Sequence, residues 1–244
     1  NADYANSKAI KSVGNLYLNS GTLVITTTTE GGEGIESKDT LFINGGNTDI
    51  NTYDDGINAS NHIQINGGKT HSHATNNDGI DSNGTLTITG GITIANGTSA
   101  PEEGFDCDQN VFTITGGLLI GTGGSTSTPS STTCTQHAIV YSGASNGSAI
   151  HITNSNGDDI LTYQLPTLAS QGGGQGGPGG GPGGNNGISL LFSSSSLTSG
   201  SYTLKYGGTI SGGSEYNGYY TNSTYTGGTS KTFTISSSMV TNVQ

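Results

Sequence analysis

The sequence predicts an all-β chain: a single-stranded, right-handed parallel β-helix with a C-terminal β cap. Three observations predict it. First, a five-residue motif of acid, Gly, large apolar, polar or acid, and small residue recurs four times. The copies are Glu33-Gly34-Ile35-Glu36-Ser37, Asp55-Gly56-Ile57-Asn58-Ala59, Asp78-Gly79-Ile80-Asp81-Ser82 and Glu103-Gly104-Phe105-Asp106-Cys107. Their glycines are 22, 23 and 25 residues apart, and a repeat of that length marks a solenoid. Second, a second apolar residue follows the first, six residues on in three copies (Leu41, Ile63, Leu86) and seven in the last (Phe112), and opens a period-two alternation in each copy. Third, each alternating pair ends in a small, Gly-bearing corner and a further short strand follows. Three strands per coil with no helical period between them give a parallel β-helix. The Leu-x-x-Leu-x-Leu pattern of leucine-rich repeats and the Gly-Gly-x-Gly-x-Asp pattern of calcium β-rolls are both absent. A right-handed crossover is the expectation for parallel strands.

Taken in order, the first coil is degenerate. Lys8-Ala9-Ile10-Lys11-Ser12 fills the motif position with lysines where the later copies carry acids, as terminal coils often depart from the repeat. The pairs Leu16/Leu18, Leu41/Ile43, Ile63/Ile65, Leu86/Ile88 and Phe112/Ile114 make two apolar ladders, and Ile10, Ile35, Ile57, Ile80 and Phe105 make a third. The corners are Asn19-Ser20-Gly21, Asn44-Gly45-Gly46, Asn66-Gly67-Gly68, Thr89-Gly90-Gly91 and Thr115-Gly116-Gly117, where Gly supplies a positive φ. The register then loosens through a Ser/Thr-rich insertion at 121–136. His137-Ala138-Ile139-Val140-Tyr141 reads as a sixth copy, with Ile150/Ile152 as its strand. The expected division is a β-helix over 1–165, a Gly-rich loop or linker over 166–187, and a C-terminal β segment over 188–244 that packs on or caps the helix.

Composition bounds the function. Only 29% of the 244 residues are hydrophobic and 43 are Gly, so a thick core is not available and a thin, repeated one is expected. The net charge is −11, with six lysines and no arginine, which argues against nucleic-acid binding. There is no apolar run long enough to span a membrane and no signal peptide, so the chain reads as a mature or trimmed one. The two cysteines, Cys107 and Cys134, permit one disulfide, while Cys107 at the small position of its motif also reads as a buried small residue.

Equivalent residues of adjacent coils stack about 4.8 Å apart. Glu33, Asp55, Asp78 and Glu103 then form one column, and Glu36, Asn58, Asp81 and Asp106 a second, with Asp54, Glu102 and Asp108 beside them. Carboxylates stacked so closely repel unless some hold a proton or a cation lies between them. Oxygen ligands and this spacing suit calcium, up to three ions in the three gaps between four acidic coils. Magnesium prefers shorter bonds and its own waters. Zinc is disfavoured because His62, His71 and His73 lie off the acidic columns. The candidate metal ligands are Glu33, Glu36, Asp54, Asp55, Asn58, Asp78, Asp81, Glu103, Asp106 and Asp108. Tyr53, His71 and His73 lie beside the acidic coils as candidate ligand-binding residues. The plain alternative for the acids is a solvated face, which four copies in one register disfavour.

The repeated acid-Gly-Ile-Asp-Ser motif, the Gly-Gly corners, the glycine-rich run at 172–184 and the stretch Tyr202-Thr-Leu-Lys-Tyr-Gly-Gly-Thr-Ile-Ser-Gly-Gly together resemble a family of secreted bacterial carbohydrate-binding proteins. The resemblance implies a right-handed parallel β-helix similar in fold to pectate lyases, calcium in the coils, and binding of plant-cell-wall polysaccharide, with pectin-like acidic glycans first. It implies a secreted or bacterial cell-surface protein, and a monomer is expected. Asn58 departs from the acidic pattern, which implies a weaker or wetter site there. The rival reading is a calcium-dependent pectate lyase. Lyases of similar fold use an Arg or Lys base, so Lys69 is its candidate and an exposed solubilising lysine the plain alternative. A structural or adhesive surface protein is the third reading.

Overall fold

The computed structural model describes residues 6–168 and 187–244. The glycine-rich stretch expected at 166–187 therefore lies outside the described residues, apart from Pro166, Thr167, Leu168 and Gly187. The chain is all-β, with no helix among the described residues. Its first half stacks parallel strands into a β-solenoid of about five turns.

Each turn contributes one strand to each of three sheets. The first sheet is Lys8–Ser12, Glu33–Ser37, Ile57–Ala59, Ile80–Ser82 and Phe105–Asp106, paired in parallel with Ile10, Ile35, Ile57, Ile80 and Phe105 in one register. The second is Leu16–Leu18, Thr40–Ile43, His62–Ile65, Thr85–Ile88 and Phe112–Ile114, which aligns Leu16, Leu41, Ile63, Leu86 and Phe112. From the second turn on, these aligned side chains are fully buried in one core. Like stacks on like here, because identical apolar side chains pack without leaving voids.

Two glycine columns follow from close approach. At the motif glycine the first sheet meets the end of the third, and a Cβ on Gly56 would lie 1.8 Å from Ser72 Oγ and 2.6 Å from the Gly79 carbonyl oxygen. At the corners after the second sheet, Gly21, Gly46, Gly68, Gly91 and Gly117 all take φ between 82° and 94°, which only glycine adopts without strain. Beside them runs a ladder in which Asn44 donates to Asn19 and Asn66 donates to Asn44, each at 2.7 Å, and Thr89 donates to Asn66 at 2.8 Å.

The third sheet differs. Its solenoid strands are Thr22–Thr26, Asn47–Thr52, Lys69–Ala74, Ile92–Asn96 and Leu118–Gly123. In Ile92–Asn96 it is Thr93 and Ala95 that face the solenoid core, in register with Thr70 and Ser72 and with Leu119 and Gly121. Ile94 and Ile120 face outward and are nonetheless fully buried. They are covered by a second, antiparallel sheet in which Ala149–Asn154 lies between Asp159–Gln164 and Gly200–Ser211. Ile150, Ile152, Leu161, Tyr163, Tyr202 and Leu204 form the covering side of this second core.

The sixth copy expected at His137–Tyr141 is not a turn of the first sheet. Ala138–Ser145 extends the third sheet instead, after an antiparallel strand Gly187–Ser193, and Val240–Val243 pairs with it in parallel. Its alternation fits that place: Ala138 and Val140 enter the solenoid core, Ile139 and Tyr141 the outer one. Ile150 and Ile152 belong to the covering sheet. The sixth rung of the first two sheets is the Ser/Thr-rich insertion. Backbone bonds from Ser127 to Phe105 (3.2 Å), Ser130 to Phe112 (2.8 Å) and Thr135 to Ile114 (3.0 Å) lay it under the last strands. The Cys107–Cys134 bridge does not form. Both thiols are free and buried, Cys107 Sγ bonding the Asn110 carbonyl at 3.3 Å and Cys134 Sγ the Phe112 carbonyl at 3.7 Å.

Ile80→Ala removes a fully buried rung of the first ladder and is expected to lower unfolding free energy by about 2–5 kcal/mol in denaturant titration. Val13→Ala, at an 88% exposed residue, should leave it within about 0.5 kcal/mol.

Candidate functional site

The parallel register brings the acids together. Glu36 aligns with Asn58, Asn58 with Asp81, and Asp81 with Asp106. The companion column is fixed by the backbone: Gly34 N donates to the Asp55 carbonyl, Gly56 N to that of Asp78, and Gly79 N to that of Glu103. Each apolar residue points into the core, so the residue after it, in the second column, points the other way, while the acid of the first column is set apart from it by the motif glycine.

The columns are longer than their acids. Lys8 aligns with Glu33 and Lys11 with Glu36 in the first turn. Lys8 Nζ donates to Glu33 Oε1, Lys11 Nζ lies 2.7 Å from Glu36 Oε2, and Lys38 pairs with Glu36 Oε1. The upper acidic turn therefore has ammonium groups as its counter-cations. Burial pushes the Glu36 carboxyl up, but its bonds to Lys11 and Lys38 outweigh this and hold it below the usual range. At the lower end, Asp106 Oδ1 accepts from Ser127 Oγ at 3.1 Å and from Asp108 N at 2.9 Å.

Among the described residues the middle turns have no such cation. Asp55 and Asp78 are 6% and 7% exposed. Asn58 Nδ2 donates to Asp55 Oδ2 at 3.1 Å and to Asp81 Oδ2 at 2.7 Å, so one neutral amide serves two carboxylates. Asp78 N donates to Asp55 Oδ1 at 3.3 Å, and Glu103 N donates to Asp78 Oδ1. Burial, then neighbouring acids, push Asp55 to about 7, with Asp54 the largest contributor among those acids. Burial raises Asp78 to about 9, against the bond from Glu103 and with Asp55 adding to the rise. Asp81 rises to about 8 from burial, then Asp55 and Asp106. Burial also raises Glu33, Glu102 and Glu103. Glu33 Oε2 and Glu103 Oε2 are buried with no hydrogen-bond partner.

Among the described residues, no group of three or more His, Cys, Asp or Glu side chains is gathered closely enough to hold a metal ion as it stands. The donor chemistry still fits a hard cation. Every candidate donor is an oxygen, two of those oxygens are buried and orphaned, and among the described residues no ion pair reaches Asp55, Asp78 or Asp81.

The other expected residues lie elsewhere. Asp54 accepts from Asn77 at 2.7 Å at the corner beside Asp55. Asp108 stands with Gln109 at a left-handed corner, φ 48° and 62°, on the rim of a cleft of about 510 Å³ with Glu103 and Asp106. Lys69, the candidate base, is on the third sheet, 5.4 Å from the centre of the Tyr216 ring, and is not brought to the acidic columns. His71 and His73 stand on the same strand with parallel rings 6.5 Å apart, lining a cleft to which Tyr53 does not contribute. Asp49 was not anticipated from sequence. Its Oδ1 accepts from His71 Nδ1 at 2.7 Å, and His71 Nε2 is 3.3 Å from Asn96 Nδ2. The signal was available: Asp49 is one coil, 22 residues, before His71.

Fold and face together define a helix-free β-solenoid that displays repeated columns of side chains, one of them a buried stack of carboxylates. A family model described as "Carbohydrate-binding domain-containing protein" matches residues 1–164, and the chain belongs to that family. Membership points to a carbohydrate as its partner. No curated protein and no solved structure matches the chain. No helix among the described residues is long and apolar enough to cross a membrane.

The raised carboxyls set a pH dependence. Unfolded, Asp55, Asp78 and Asp81 titrate near 3.8; folded, near 7, 9 and 8. Between these values the folded chain holds more protons at these three groups, so the stability they contribute is full below about pH 4 and is lost as pH rises through 7 to 9. In excess chelator the melting temperature should fall steadily over that window. A melting temperature that rises with pH there would refute the uncompensated stack.

Proposed function

We propose that the chain is an extracellular carbohydrate-binding protein that takes calcium on its acidic face and binds pectin-like acidic polysaccharide without cleaving it. The observation that carries this reading is the contrast along the two acidic columns. Where lysines reach the acids, as at Glu33 and Glu36, their charge is balanced; among the described residues no lysine pairs with Asp55, Asp78 or Asp81, and one asparagine amide serves Asp55 and Asp81 while Asp78 accepts from a backbone amide. A divalent cation between these turns removes the repulsion, and Glu33, Asp55, Asp78, Asp81, Glu103 and Asp106 are the residues that would hold it, with Asn58 as a neutral oxygen donor. When bound, calcium supplies positive charge and an open coordination position to a uronate carboxylate. That lets a chain of net charge −11 hold an acidic polymer.

Lyase chemistry finds less support. A base must reach the proton beside a metal-bound uronate. Lys38 is engaged with Glu36, and Lys69 lies on another sheet.

Elemental analysis and calorimetric titration of the purified chain are expected to find calcium, up to three ions, with less in Asp81→Asn and Asp78→Asn. Retention on immobilised polygalacturonate should be lost in EDTA and restored by excess calcium, with no rise in ultraviolet absorbance from unsaturated product. A chain that takes up no calcium from solution would sink this reading.

A further inference from the structure

A second candidate site lies on a different face, where the covering sheet ends over the third sheet of the solenoid. Two adjoining clefts meet there. The outer one, about 640 Å³, is lined by Gly46, Gly68, Lys69, Ile92 and Tyr216 and is chiefly apolar. The inner one, about 210 Å³, is lined by Asn51, His73, Asn96, Gln164 and Asn217, with Tyr163 among them, and is rich in amide and imidazole groups. Lys69, His71 and His73 alternate along one strand, and Tyr216 and Asn217 are consecutive, so the clefts form one groove.

The inner wall is fixed in advance. Asp49 accepts from His71, the Asn96 amide faces His71 Nε2, and Asn96 Oδ1 accepts from Thr122 Oγ1 at 2.6 Å and from the fully buried Tyr163 hydroxyl at 3.0 Å. His73 stands next to this network, and its Nδ1 is buried with no hydrogen-bond partner. A buried donor or acceptor left unpaired is costly, and a ligand hydroxyl at this position would satisfy it. The carboxylates of the first sheet line neither cleft.

We propose that this groove is a second glycan-binding site, one that takes neutral pyranose units directly and needs no cation. A pyranose has apolar C–H faces and a rim of hydroxyls. The mouth offers the Tyr216 ring and Ile92 to the first, and the floor offers Asn51, His73 and Asn217 to the second. The inference rests on the chain's binding of carbohydrate but not on calcium. It also locates a site that the family match does not span. One wall comes from residues 46–96, inside the match, and the other from Tyr216 and Asn217, outside residues 1–164.

The test is calorimetric titration of the full chain, in excess EDTA, with three neutral hexasaccharides: cellohexaose, xylohexaose and mannohexaose. At least one is expected to bind. Tyr216→Ala should weaken that binding roughly three- to tenfold, as loss of an aromatic contact does. His73→Gln should weaken it by a similar factor, and Tyr17→Ala, on another face, should leave it unchanged. Histidine-labelled nuclear magnetic resonance spectra serve if a variant fails to fold, because the ring signals of His71 and His73 should shift on titration while that of His62 does not. No binding of any of the three in EDTA, or binding that leaves the His71 and His73 signals unmoved, would overturn the proposal. Loss of calcium-sensitive retention on polygalacturonate is scored separately, so failure of the acidic face and failure of the groove are distinguishable.

Discussion

Parallel stacking in register is the constraint from which the rest of the structure follows. It sets every side chain directly above its counterpart one turn away, at about 4.8 Å. Each column must therefore be compatible with itself. Isoleucine on isoleucine is, and so is asparagine on asparagine, as the ladder through Asn19, Asn44 and Asn66 shows. Aspartate on aspartate is not. The chain answers that conflict with lysines at one end, a serine hydroxyl at the other and a shared asparagine in between, leaving Asp55, Asp78 and Asp81 with carboxyls raised by burial and by one another.

The same constraint decides what could be read from the sequence. The Ile10-to-Phe105 ladder and the two ladders of the second sheet were legible because each position repeats one kind of residue at a fixed interval, and the register follows from that. The third sheet was less so. Its core-facing column runs through Thr48, Thr70 and Thr93, while Ile94 and Ile120 face outward, so hydrophobicity alone gives no sign of which way the strand points. The sixth rung of the first two sheets was missed for the same reason: Ser127, Ser130 and Thr135 carry it through backbone bonds, with Cys134 as its apolar member. The acidic columns were legible as columns. The part played by Lys8 and Lys11 was not, because a terminal coil that departs from the repeat looks like loss of the motif rather than its counter-charge.

The covering sheet accounts for the rest of the third face. Outward isoleucines on the fourth and fifth turns need a partner surface, and Ile150, Ile152, Leu161 and Leu204 supply it. On the second and third turns the equivalent outward positions are Asp49 and His71, which need hydrogen bonds instead. The change from polar to apolar along one outward column thus marks where the solenoid stops being open to solvent, and the groove lies at that boundary.

The lysines of the first turn have one more effect. Lys8–Ser12 is the edge of the first sheet among the described residues, and its unpaired backbone groups could accept another strand. A solenoid edge invites a second copy to continue the stack, which is how fibres begin. A copy arriving head to head would set Lys8 and Lys11 against identical ammonium groups, with the carboxylates that balance them already engaged on the far side. The groups that close the acidic columns within the molecule thereby also oppose growth of the sheet beyond it.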